Sequence, residues 1–252
     1  MTFTQVVAQL EDALRRELPG ATAQDRLAPI PRRQWPAGFN PARVRHAAGL
    51  LLVFPKDAET AEQAEHAEKN ALPSPRSLPS PPSLRSLPSL RSLPSLRSLR
   101  AHVVLTVRAD RVRHGGQISL PGGVVEPGET FEQAALREAH EEVALPLEDV
   151  RVIGALTPLD IHVSGFRLHP IVAVTGSRPL LTPADAEVAR ILEVGVEELL
   201  DPSTLGSTAR ERDGIRYQVP GFHVGGREIW GATAMVLAEF LALLGWTGRR
   251  TA

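Results

Sequence analysis

The chain has no cysteine among its 252 residues, one tyrosine, two methionines and only 4 % aromatic residues. Without thiols there is no disulfide, no thiolate nucleophile and no Cys-ligated zinc, and the expected compartment is the reducing cytoplasm. The histidines (among them His102, His114, His140, His162, His169 and His223) are scattered without zinc spacing. The N-terminal stretch MTFTQVVAQLEDALRREL lacks the apolar run of a signal peptide or membrane span, so no membrane association is expected. An excess of charge is missing too. A formal net charge of −1 gives no global electrostatic argument for nucleic acid, and none is expected as a partner.

What is present suffices for a sizeable core, with 42 % hydrophobic residues. Phe3, Val7, Leu10, Leu14 and Leu18 make one apolar stripe and predict a helix over 3–18, stopped by Gly20. Ala47–Phe54 is a continuous apolar run ended by Pro55, the pattern of a buried strand. Residues 56–100 break this order. An Ala/Glu-rich part leads into Ser/Leu/Arg/Pro hexads, in which regular proline forbids a helix and nothing builds a core. The expectation is a disordered insertion between two strands. It is either a tolerated repeat expansion, the reading we favour, or a tether or anion-binding arm through Arg85, Arg91, Arg97 and Arg100. The chain then divides into 1–55 (first helix and strand), 56–100 (insertion) and 101–252 (the remainder of the same domain). Strands are expected at 102–108, 150–156 and around 166–174, a hairpin across 215–230, and a terminal helix after Trp230.

The stretch that carries chemistry is GGVVEPGETFEQAALREAHEEVAL, residues 122–145. Pro127-Gly128 marks a turn, and Thr130, with Gln133 three residues on, marks a helix start. On that helix Phe131, Ala135 and Ala139 form a row, flanked by Leu136 and Val143, that one side can bury. Glu138, Glu141 and Glu142 stack at helical spacing. Carboxylates so close raise each other's pKa unless a cation sits among them, and an oxygen-only cluster suits Mg²⁺ or Mn²⁺. Arg137 points elsewhere on the helix and is placed to pair with Glu129. His140 is expected to face solvent, and His114 is the histidine to watch as a phosphate contact.

This stretch resembles the Nudix box, G-x5-E-x7-R-E-U-x-E-E-x-G-U, with Ala139 and Leu145 in the two apolar positions and Ala144 where the family has glycine. If that position is left-handed, alanine there costs about 1 kcal/mol. The resemblance implies an α/β fold, the Nudix α/β/α sandwich with a central mixed sheet, acting on a small-molecule nucleotide substrate; it leaves a homodimer open. It implies Glu138 and Glu142 as chief metal ligands, Glu141 as ligand or base (Glu138 being the alternative base), and Arg137 with Glu129 orienting the loop. Gly122 and Gly123 let a phosphate or metal approach.

HVVLTVRADRVRHGGQISLPGG is partly similar to the upstream motif of coenzyme A pyrophosphatases. Gly116, Gln117 and Pro121-Gly122-Gly123 match, while Val112 stands at the motif arginine and Arg113 is next to it. Ser164-Gly165-Phe166, Pro170, Glu187 and the Trp230–Ala234 run are also similar. The resemblance thus implies a substrate of the coenzyme A class, with Arg108, Arg113 and Gln117 as contacts and Glu187 as a further metal ligand. Two alternatives stand beside it: Nudix chemistry on a nucleoside triphosphate, NADH, ADP-sugar or dinucleoside polyphosphate, and a non-catalytic nucleotide-binding module.

Overall fold

Strand β1 (Arg45–Lys56) is buried along nearly its whole length. A strand apolar at consecutive positions fills a layer on each of its faces, and the architecture follows from that. The computed structural model describes residues 1–35, 38–57, 99–110 and 115–248. Most of the expected insertion, together with Arg113 and His114, lies outside them.

In the chain, α1 (Phe3–Ala13) and α2 (Gly20–Gln24) precede β1. Strands β2 (Arg100–Arg108), β3 (Ile118–Ser119) and β4 (Gly122–Val124) then lead into α3 (Phe131–Val143). After it come β5 (Arg151–Ala155), β6 (Leu159–Ile161), β7 (Phe166–Val174) and β8 (Val188–Gly195). The chain continues with α4 (Val196–Leu200), the strands β9 (Leu205–Arg212), β10 (Ile215–Val224) and β11 (Arg227–Trp230), and α5 (Gly231–Leu243). The main sheet runs β3-β2-β1-β7-β5, with β4 on β1, β6 on β7 and β8 on β2. It is mixed, because β1 is parallel to β7 and antiparallel to β2 and β4.

Leu50, Leu52 and Phe54 of β1 pack in one cluster with Ala134, Ala135, Ala139 and Val143 of α3. Leu51 and Val53 belong to the opposite cluster, with Val6 and Leu10 of α1 and Val236, Leu237, Phe240 and Leu241 of α5. The result is the α/β/α sandwich. The small antiparallel sheet β9-β10-β11 joins the α5 side through Phe222 and Ile229.

Helix α1 is shorter than its stripe predicts. It is capped at Thr2 by a reciprocal pair with Gln5 and stops at Ala13, with Leu14 as its C-cap. Strand β1 does not stop before Pro55 but passes through it, Pro55 opposing Ala101 and Lys56 opposing Arg100. The pairing with β7 ends at Val53, so a missing N–H beyond it removes no bond on that side. Inside α5 the fully buried Glu239 accepts from the Gly20 and Thr157 amides, the Thr157 hydroxyl and the Gln24 side chain. A buried carboxylate is tolerable when its lone pairs are filled in this way, and this one ties α2 and the β5–β6 turn to α5.

Candidate active site

The site is built where β4 crosses the N-terminal half of β1 and α3 lies over both. Gly122 opposes Gly49, and Gly123 opposes Ala48. A Cβ on Gly122 would fall 2.3 Å from the Ala48 carbonyl oxygen, and one on Gly123 2.4 Å from Glu138 Oε1. The two glycines therefore have separate tasks. Gly122 lets two backbones touch, and Gly123 leaves the volume that the Glu138 carboxylate fills.

Helix α3 starts as expected. The Thr130 hydroxyl accepts from the Gln133 amide, and the Gln133 side chain accepts from the Thr130 amide. It ends at Ala144 with φ 52° and ψ 37°, the left-handed position that favours glycine. Its inner face holds Ala134, Ala135, Ala139 and Val143 together with Glu142. Phe131 is not part of that core. It is 38 % exposed and stacks on the His169 ring at 3.5 Å, and His169 in turn hydrogen-bonds His46 across the β1–β7 pair at 2.8 Å. Its place on the first turn of α3 puts it beyond the helix's sheet-facing stripe.

Glu142 is buried, and its carboxylate accepts from the Gly122 amide at 3.1 Å. Burial pushes its pKa up to about 7; the Gly122 N–H and Arg108 oppose the shift, and Asp185 and Glu138 add to it. Glu138 is also held above the ordinary carboxylate range, chiefly by burial, with Arg137 opposing. Glu141 is exposed.

Arg137 does not point away from this cluster. It grips Glu129 in bidentate fashion at 2.7 and 3.1 Å, and also donates to Glu138 at 3.1 Å, Glu141 at 3.0 Å and the Val124 carbonyl at 3.1 Å. Glu129 also accepts from the Glu126 amide, and the Arg137 contact first, that amide second, lower its pKa. One guanidinium thus fixes the 124–129 loop against the helix and screens two of the three carboxylates.

Other predicted residues lie around this centre. Arg108 and Glu187 pair with each other at 2.8 Å. Gln117 accepts from the Arg108 amide through its carbonyl and lines the cavity beside β3. His140 is exposed and bonds the Leu145 carbonyl at 2.9 Å, a helix-end contact. The sequence reading missed Asp185. Its charge acts on Glu142, and its carboxylate accepts from the Glu187 and Val188 amides. The segment holding it is laid over the end of α3 by the amides of Thr182 and Ala184, which bond the carbonyls of Val143 and Glu142. No local pattern announces such a long-range placement.

Among the described residues no three acidic or imidazole side chains converge into a finished metal cage. The donor set nonetheless fits a hard divalent cation: Glu138 and Glu142 are oxygen donors in desolvated positions with raised pKa values, beside a backbone with no side chain. Fold and site together place an acidic helix against a glycine turn within the sandwich.

Residues 95–212 match the family model described as NUDIX domain. Over 137 residues the chain is 38 % identical to Uncharacterized Nudix hydrolase NudL of Yersinia pestis (strain Pestoides F), covering 54 % of this chain and 68 % of that protein. The protein of the same name from Yersinia pseudotuberculosis serotype O:1b (strain IP 31758) aligns over the same lengths with the same identity. Among solved structures, the Nudix hydrolase RenU from M. smegmatis superposes with a TM-score of 0.45 at 20 % identity, over 81 % of this chain and 84 % of that one. The chain belongs to the Nudix hydrolase family, whose members act on nucleoside diphosphate-linked compounds and generally use divalent metals. No helix among the described residues is long and apolar enough to cross a membrane.

Proposed function

We propose that the protein hydrolyses the pyrophosphate of coenzyme A or an acyl derivative, giving adenosine 3′,5′-bisphosphate and (acyl-)4′-phosphopantetheine. The observation that carries the chemistry is the pair Glu138 and Glu142, buried against Gly122 and Gly123 with their pKa values raised. Their ionised forms need more positive charge than Arg137 alone supplies. Bound Mg²⁺ or Mn²⁺ would neutralise phosphoryl oxygens and make a coordinated water more acidic. Glu138 and Glu142 would hold the ion, and Glu187 would join them only where its pair with Arg108 opens. Glu141, the exposed member, would take the proton of the attacking water or complete the ligand set. The water oxygen bonds one phosphorus, the bridging P–O bond breaks, and each product keeps one phosphoryl group of the pyrophosphate, the nucleoside product retaining its 3′-phosphate as well. Arg137 and Glu129 hold the 124–129 loop during this exchange.

The substrate assignment draws on Gly116, Gln117, Pro121-Gly122-Gly123 and Ser164-Gly165-Phe166, the parts similar to coenzyme A pyrophosphatases. The name of the Yersinia relatives carries no substrate. The test is product analysis by mass spectrometry with Mg²⁺ or Mn²⁺ on a mixture of coenzyme A, acetyl-coenzyme A, NADH, ADP-ribose, diadenosine polyphosphate and dGTP. Adenosine 3′,5′-bisphosphate should appear first. Glu138→Gln should fold normally and lose turnover by roughly two or more orders of magnitude. Products from another compound would replace the substrate assignment. A folded, metal-binding protein that cleaves nothing would mark a binding module.

A further inference from the structure

Beside the box lies a cavity of about 820 Å³, in the size range of small-molecule sites. Its walls come from the 28–33 segment, β3, the 159–164 turn, β9 and the start of α5. Five arginines line it (Arg32, Arg33, Arg108, Arg210 and Arg212) against two carboxylates, Asp160 and Glu211. Arg167 already holds Asp160 through two bonds of 2.7 and 3.1 Å.

Arg33 has no carboxylate partner among the described residues; its guanidinium lies over the Tyr217 ring at 4.4 Å. The partner of Arg212 is the exposed Asp213 at 3.6 Å, a contact that a ligand can displace. Arg210 and Arg212 alternate onto one face of β9, and Val219 of the facing strand β10 also lines the cavity, so this part of the wall is both cationic and apolar. Trp230 and Met235 extend the apolar part. The cavity lies close to the box in the chain, though none of the box residues lines it. Ser119 in its wall is three residues before Gly122, and the charge of Arg108, also in its wall, reaches Glu142.

We propose that this cavity seats the nucleoside half of the substrate, and that Arg33 and Arg212 recognise a phosphomonoester carried on that half away from the pyrophosphate. The inference rests on the hydrolytic reading above only for where the pyrophosphate lies. Arg32, Arg108 and Arg210 are held by Asp25, Glu187 and Glu228; a neutral, amide-rich half would leave Arg33 and Arg212 without a strong anionic partner, whereas a phosphorylated nucleoside offers charge to them and a planar base to the apolar part of the wall.

The test is calorimetric binding to the intact protein with Mg²⁺, using adenosine 3′,5′-bisphosphate, AMP and 4′-phosphopantetheine. Wild type should prefer the bisphosphate over AMP by roughly tenfold, the worth of a charge-assisted contact. The double variant Arg33→Gln, Arg212→Gln should lose that preference, and Arg33→Lys, Arg212→Lys should keep part of it. Arg212 is exposed and Arg33 half-buried, and thermal midpoints would check that the variants fold. Full preference in the Gln variant, or an affinity loss confined to 4′-phosphopantetheine, would overturn the inference. Cleavage is not needed for this readout. A protein inert toward coenzyme A would refute the proposed function and leave the binding result to stand or fall alone.

Discussion

At Glu142 the fold carries a cost in its metal-free form. The group sits at about pH 7 in the folded chain against an ordinary 4.5, so the native state binds the extra proton between those values. Stability contributed by the protonated form is complete below about pH 4.5 and is lost as pH rises toward 7, a difference on the order of 3 kcal/mol. Urea midpoints of chelated protein should therefore fall between about pH 5 and about pH 8, and Glu142→Gln should flatten that fall. Added Mg²⁺ should restore the midpoint at the higher pH in wild type but much less in the variant. An identical slope in both would show that the Glu142 carboxyl is not its source. Ala144 makes a simpler case. It holds a left-handed backbone with a Cβ, and Ala144→Gly should raise stability by about 1 kcal/mol. Unchanged denaturation midpoints would mean that no strain is stored there.

At the scale of the element, what was legible in the sequence was what neighbours in the chain decide. The Thr130–Gln133 cap and the hairpin turn at Gly225-Gly226 each depend on a few consecutive residues. They stand where the residues placed them. The stacking of Glu138 over Glu142 follows from helical spacing in the same way. The features that were not legible are set by packing between distant segments. Phe131 has the period of a core residue but meets His169 of β7 rather than the sheet's apolar face. Asp185 reaches Glu142 because two backbone amides lay its loop over the end of α3. Arg137 was expected to turn from the cluster and instead screens it, since its side chain is long enough to bridge a loop and two turns of helix. Glu239, inside an otherwise apolar helix, is explained only by donors from α2 and the β5–β6 turn.

For the whole molecule, the sheet is closed around β1 by residues on both sides of the expected insertion, so the two parts of the chain fold as one body. The last rungs are held firmly. Lys56 pairs with Glu193 at 2.8 Å, Glu193 also holds Arg178 at 2.9 Å, and the Phe3 amide donates to the Leu99 carbonyl at 2.9 Å. Replacing residues 58–98 by a short Gly/Ser linker should leave kcat/KM within about twofold and not lower the melting temperature, because shortening a loop lowers its closure entropy. A loss of activity or of a binding partner would give the repeat a function. Lys56 and Arg100 are opposite each other in the ladder, about 5 Å apart as antiparallel partners are. To the sheet, whatever is spliced between them is only an end-to-end distance. The hairpin is therefore an acceptor for foreign cargo: a reporter domain whose own termini lie close together can be inserted there, and the hydrolase would carry it without reshaping the box.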